Sequence, residues 1–483
     1  MTSPSKSLEV SGDELRRLVD LAMDYVSSHI DSLPEQPVWN TDKADEVARA
    51  VDQSIPQRGR AFEEILDEVF DCYVPVSYNT ASPGYLAYVP GGGVPHAAIA
   101  DLIADCINRY VGVWIAAPAL AQIESTVIRW FCDLVGYPQK AGGFLTSGGS
   151  LANWTAIVTA RRCRLGDEFA KATLYTSNQA HHSVVKAAVL AGLPATNVRQ
   201  IDVDSEFRVR IDSLERKMKQ DRSDGWTPLA IVGHAGTTNS GAIDDLQSLA
   251  DVAVNQNVWF HVDAAYGGFF LLTERGHEVM KGIERSDSIT LDPHKGLFLP
   301  YGTGCLLVRD LDQLKEAHQV SADYLPIMQE SPDFVDICEI SPELSRDFRA
   351  FRIWLPLQML GIDPFRENLD EKLDLAQWAA GELRELNQEI DDELEIVAQP
   401  HLSILAFRLL RAGLNETELT TLNENFRQSI NSTRRVFLSS TTLRGSYVIR
   451  ICVLCFRTHI EQMQQCMSEI RRAIGELAEP QSS

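Results

Sequence analysis

An α/β fold with a mostly parallel central sheet flanked by helices is predicted, and two observations carry the prediction. Between residues 172 and 308, short apolar stretches of strand length alternate with helical stretches. That alternation is the mark of a parallel sheet covered on both faces. The polar residues His181, Thr238, Asp263 and Lys295 all fall where those apolar stretches end. Ligands of open α/β sheets sit beyond those strand ends. With 483 residues the chain also exceeds one ordinary core, so two or three domains are expected. They are an N-terminal helical segment over 1–95, a large domain over 96–345 and a small C-terminal α+β domain over 346–483.

The elements follow in order. Residues 11–28 space Leu15, Leu18, Val19, Ala22, Tyr25 and Val26 as one helical stripe. Short helices are expected at 44–51 and 61–69. This region shows apolar faces but little core of its own, so it should pack on another surface, such as a second subunit. The stretch 82–95 sets two aromatics and Gly91-Gly92-Gly93 between prolines. Glycines there would let backbone approach a ligand, although a plain surface turn has the same composition. Helices are expected at 97–107 and 122–135. A Gly/Ser/Thr turn over 142–150 leads into a helix at 151–164. Free N–H groups at such a helix start bind anions, although the turn could be a simple cap. Strands are then expected at 172–176, 198–201, 229–232, 258–262, 288–291 and 304–308, with helices between them at 183–191, 211–220 and 246–255. Residues 321–345 lack periodicity and hold three prolines, which suits a lid or a disordered loop. Helices at 346–360, 367–386 and 459–477 and strands at 401–410 and 447–456 complete the chain.

Composition removes several classes of function. The net charge of −23, with no basic cluster, argues against nucleic acid and anionic membranes as partners. No apolar run approaches the roughly 18 residues of a membrane span. Residues 1–10 lack a signal-peptide core. Nine scattered cysteines suit reduced thiols in a cytoplasm. Cys452 and Cys455 resemble half a metal site, but on a strand they face opposite sides. No metal site is expected.

The stretch 288–300 organises the chemistry. Its strand ends at Asp292-Pro293, because proline cannot donate to a ladder and disfavours helix before it. His294 and Lys295 then follow on a turn. A lysine crowded by apolar neighbours suits imine chemistry, because desolvation lowers its pKa and frees the amine. A structural or surface lysine is the plainer alternative. If Lys295 holds an aldehyde cofactor, Asp263 could pair with a protonated pyridine nitrogen. Ala265 is small enough for a ring to lie against, and His181 could stack on the other face. Gly149, Ser150 and the helix start would take a phosphate, with His294 and Thr238 supplying further hydrogen bonds. This is the set that pyridoxal 5′-phosphate requires. Taken singly, Asp263 could cap a turn, His181 and His182 could be solvated or bind metal, and His261 reads as a satisfied core histidine.

The chain resembles the group II pyridoxal-phosphate-dependent amino acid decarboxylases, and the aromatic-L-amino-acid decarboxylases in particular. The matching pieces are Ser82-Pro-Gly-Tyr-Leu-Ala-Tyr-Val-Pro90, Thr146-Ser-Gly-Gly-Ser150, Ser177-Asn-Gln-Ala-His-His-Ser183, Gly236-Thr-Thr238 with Asp244, His261-Val-Asp-Ala-Ala-Tyr266 and Asp292-Pro-His-Lys295. The resemblance implies a type I aminotransferase-like PLP-dependent fold and a homodimer with its active site at the interface. It implies decarboxylation of an L-amino acid to the amine and CO2 through a Lys295 Schiff base and a quinonoid. Lys295, Asp263 and His181 would be catalytic. Gly149, Ser150, Thr238, Ala265 and His294 would contact the cofactor.

Three departures from the family pattern stand out. A mobile-loop tyrosine that protonates Cα in aromatic decarboxylases has no counterpart, since residues 326–345 contain no Tyr. Ile337 falls near its place, with Phe334 and Cys338 beside it. Protonation then passes to His181 or water, or oxygen intercepts the intermediate and an aldehyde results. Gly91 stands in a run of glycines where relatives place Thr. With Tyr88, Tyr110 and Trp114 it outlines a substrate pocket of modestly aromatic character. Asp292 replaces an Asn near the phosphate, and a carboxylate there needs a proton or a cation. A PLP-binding protein without catalysis is the remaining alternative.

Overall fold

The computed structural model describes residues 8–319 and 334–478. Seven strands form the central sheet: β1 (Gly142–Thr146), β2 (Ala172–Ser177), β3 (Val198–Ile201), β4 (Thr227–His234), β5 (Trp259–Asp263), β6 (Ser288–Leu291) and β7 (Gly304–Val308). Their order is β1-β7-β6-β5-β4-β2-β3. Strands β3, β2, β4, β5 and β6 run parallel, while β7 is antiparallel to both β6 and β1. Six of the seven were expected within a residue or two at most ends. β1 was read as part of a glycine turn. Its two glycines allow close approach instead: a Cβ on Gly143 would collide with the Leu306 carbonyl of β7.

As an edge strand, β1 would leave backbone groups of its outer side unpaired. Two buried side chains close it. The Leu145 N–H donates to Glu124 Oε1 at 2.9 Å, and Arg346 Nη2 donates to the Leu145 carbonyl at 2.6 Å. Arg346 and Glu124 also pair with each other at 2.7 Å. This clamp fixes the strand that delivers residues 147–150 to the site. Glu124→Ala leaves the buried Arg346 charge with only Glu343, 3.9 Å away, and should cost up to about 3 kcal/mol of stability. Urea denaturation of the two proteins reads that difference.

A second sheet of four antiparallel strands has the order β10-β11-β9-β8, with β8 (Glu393–Ala398), β9 (Ile404–Leu410), β10 (Ser439–Leu443) and β11 (Ser446–Cys452). Helices Asp363–Leu386, Glu416–Ser432 and Ile460–Ala478 pack on it around Phe407, Phe426, Ile449 and Ile470. The helix at 416–432 and strands β8 and β10 were not expected. A capping box, Asn415 with Glu418, starts that helix. Cys452 and Cys455 are both buried and unpaired.

Residues 320–333 lie outside the description, and most of the expected lid with them. Its last part is docked. Phe334 stacks on Trp114 with ring centroids 4.0 Å apart. Asp336 accepts from the Trp114 N–H at 2.6 Å, and the Cys338 N–H donates to the Gly112 carbonyl at 3.1 Å. Ile337 is buried in the core with Phe144 and Leu306. Among the described residues, no helix is long and apolar enough to cross a membrane.

Candidate active site

Parallel strands throw their C-terminal residues to one edge of the sheet, and a cavity of about 310 Å³ opens there. Lys295, Asp263, His181, Gly149, Ser150, Thr238, Ala265 and His294 all line it. Asn153, Ser183 and His234, to which the sequence reading gave no role in binding or catalysis, line it too, as does Asp292, which that reading set near the phosphate.

Asp263 ends β5 and is buried. Asn153 Nδ2 donates to its Oδ2 at 2.9 Å, and the Ala265 N–H donates to its Oδ1 at 3.1 Å. Burial pushes its carboxyl up, but His234, the Asn153 hydrogen bond and Lys295 together hold it below the usual range. It is therefore an anion, fit to face a pyridinium. Behind it, His234 Nδ1 lies 3.1 Å from Asp244 Oδ2. Burial alone would lower the His234 pKa, and the Asp244 carboxylate raises it.

Lys295 sits in the short turn after Asp292-Pro293, and its Nζ lies 2.9 Å from Asp292 Oδ2. The expected release of its proton is corrected here. Burial does push the amine pKa down, but the Asp292 charge and hydrogen bond outweigh it and the net shift is upward. Asp292→Asn should therefore speed cofactor capture by the cofactor-free protein at neutral pH. Stopped-flow absorbance of both proteins across pH tests this; equal rates would remove Asp292 from control of the amine.

The helix Gly149–Leu165 starts at the cavity wall. A Cβ on Gly149 would lie 3.0 Å from Asp292 Oδ2 and 3.3 Å from Ala265 Cβ, so a side chain there would crowd the cradle. Asp292 Oδ1 is buried without a hydrogen-bond partner. The His294 ring is held from behind, with Nδ1 donating to the Thr303 carbonyl at 2.6 Å. An anion cradle that a side chain would fill, a lysine and an anionic carboxylate fit a phosphorylated pyridine aldehyde. Among the described residues no group of acidic, His and Cys side chains could hold a metal.

Tyr88, Gly91, Tyr110 and Trp114 do not line this cavity. Gly91 lies against the backbone of the lysine turn, where a Cβ would collide with the His294 carbonyl. Tyr88 and Tyr110 are 56% and 39% exposed. The Tyr110 hydroxyl donates to the Leu344 carbonyl at 3.0 Å, and Trp114 holds Phe334.

Known proteins match this chain in sequence and in fold. Residues 45–410 fit the family model of the pyridoxal-dependent decarboxylase conserved domain. The chain belongs to the pyridoxal-dependent decarboxylase family. It is 33% identical over 480 residues to an aromatic-L-amino-acid decarboxylase of Bacillus atrophaeus, covering 98% of each chain. It is 29% identical over 474 residues to tryptophan decarboxylase TDC1 of Camptotheca acuminata, covering 95% of this chain and 93% of that one. Its fold matches that of Oryza sativa TDC solved with PLP and tryptamine, with a TM-score of 0.91, 24% identity and coverage of 97% and 99%. The protein is a lyase, a PLP-dependent amino acid decarboxylase, and pyridoxal 5′-phosphate is its cofactor.

Proposed function

We propose that the protein converts an aromatic L-amino acid to its amine and CO2. One observation carries the substrate class: 33% identity, end to end, with an aromatic-L-amino-acid decarboxylase. In this reading Lys295 holds the cofactor covalently and Asp263 pairs with its ring nitrogen. His181 and Ala265, both in the cavity wall, would flank the ring. Gly149, Ser150 and His294 serve the phosphate, and Thr238 adds a hydrogen bond. The cofactor supplies the electron sink for the bond that loses CO2. Asp263, kept anionic, stabilises positive charge on the ring. Lys295 Nζ lies 2.9 Å from Asp292 Oδ2, so Asp292 could take a proton from the amine or return one to it. Asp263 and Asp292 are buried, which strengthens their charges.

A homodimer completes the site in this reading. Ile99, Leu102, Ile103 and Ile107 form an exposed apolar face on the helix Pro95–Ile107, close in sequence to Tyr110 and Trp114. A second copy covering that face would bring Tyr88, Gly91, Tyr110 and Trp114 to a substrate. Light scattering of the purified protein measures the state directly. We place the enzyme in the cytoplasm, because all nine cysteines are unpaired.

Oxidative decarboxylation–deamination to an aldehyde is the second reading. It is favoured by the loop without a tyrosine and by the burial of Ile337. A relative 27% identical to this chain is a phenylacetaldehyde synthase of Petunia hybrida. Product analysis separates the two. The holoenzyme, given each L-amino acid under air, should yield amine without oxygen uptake. Aldehyde with oxygen uptake moves the protein to the second reading, and no product from any aromatic substrate removes both.

A further inference from the structure

His181 is one end of a line of buried hydrogen bonds that runs through the wall of the cavity, and the sense of every bond in that line can be read. Asp263 is held as an anion, so it accepts only. The group of Asn153 that faces it at 2.9 Å is therefore the amide nitrogen. That fixes the Asn153 side chain. Its second N–H donates to Ser183 Oγ at 3.0 Å. The Ser183 oxygen thereby receives a hydrogen, and its own hydrogen is free for His181 Nδ1, 2.8 Å away. The Ser183 backbone N–H points at the same Nδ1 at 3.3 Å. A nitrogen approached by two donors carries no proton.

The other end of the line agrees. With its nitrogen committed, Asn153 offers Oδ1 to Thr290 Oγ1 at 2.7 Å and to His261 Nε2 at 2.9 Å. His261 then carries its proton on Nε2 and accepts at Nδ1 from Ser288 Oγ, 2.8 Å away. The Ser288 oxygen receives the Trp259 indole N–H, also at 2.8 Å, and indole can only donate. Burial pushes His261 down to about 4, so it stays neutral and keeps the one-proton arrangement that the line needs. From Trp259 to His181 all the hydrogens point one way.

We propose that Asn153 and Ser183 are positioning residues that set the tautomer of His181, holding Nδ1 bare and the proton on Nε2. His181 lines the cavity, so the ring presents a neutral N–H donor to whatever occupies it. Resting on the decarboxylase reading, this gives the site a proton donor that does not depend on a loop tyrosine. Asn153 also ties that donor to the ring-nitrogen partner, because the same amide holds Asp263 and Ser183. The tie has a sequence rationale: residue 153 lies one helical turn beyond Gly149, on the side that faces the strand ends.

The test is nitrogen NMR of the cofactor-loaded protein carrying 15N-histidine, with His181→Gln used to assign the signals. The expected result is a protonated Nε2 and an unprotonated Nδ1 for His181. In Ser183→Ala the Nδ1 signal should move toward the protonated position as the second tautomer appears, and Ser183→Thr should restore the parent spectrum. A parent His181 protonated on Nδ1, or on both nitrogens, overturns the proposal. So does a Ser183→Ala spectrum identical to the parent's. The readout is independent of turnover: if no amine forms but the tautomer is as stated, the functional reading falls and this one stands.

Discussion

Lys295→Ala should abolish amine formation, with a loss of at least about 10³-fold, within the range of a positioned acid–base group. The argument starts from position. Lys295 Nζ is the amine that lines the cavity, at the end of the strand that neighbours Asp263. Among the described residues no other lysine lines that space. The variant should also lose the visible band of an enzyme-bound cofactor, because no amine remains to hold it. Stability needs a separate control, since the change leaves Asp292 buried without its cation. Lys295→Ala combined with Asp292→Asn should recover the stability and none of the activity. A single variant that keeps activity within tenfold of the parent would remove Lys295 from the chemistry.

Asp263→Asn should cost about 10³-fold, comparable to losing one charge-stabilising group at a reacting centre. The amide has nearly the same shape and can turn its carbonyl toward the Asn153 N–H; its NH2 then faces the Ala265 N–H, so one hydrogen bond is lost at a cost of about 1–3 kcal/mol, which the fold should survive. The negative charge goes. Without it nothing at that wall favours a proton on the ring nitrogen, and electrons released with CO2 have a poorer sink. Thermal melting should be near that of the parent while kcat collapses. If kcat fell by less than tenfold, the ring nitrogen would have another partner, and His234 would be the next candidate.

The strand-and-helix alternation made the central sheet legible, because β2, β4 and β5 are largely buried runs that end in a polar residue and β6 is a buried run followed at once by Asp292. The site was legible for the same reason. Parallel strands carry residues far apart in sequence to one edge, so strand ends alone brought His181, Asp263 and Lys295 together. What escaped was set by contacts between elements. β1 looks like a turn because glycine is a poor strand former alone, yet Gly143 is what lets β7 come close. The helix at 416–432 carries polar residues on most of its faces and shows its start only in the Asn415–Glu418 box. Asn153 gave no signal, since an asparagine inside a helix declares nothing until its partners are known. The charge of Lys295 was misjudged because apolar neighbours along the chain were weighed, while Asp292, three residues away, turned its carboxylate onto the amine.

The Lys295–Asp292 pair has a consequence for the protein before it is loaded. An ammonium is not a nucleophile. Held in that form, the amine should react more slowly with sugars, keto acids and other carbonyl compounds than a free lysine does. Only a ligand that can compete for the carboxylate, or bring a proton of its own, gains access to the lysine. The ion pair therefore works as a chemical safety catch. It should keep the amine unspent until the cofactor arrives.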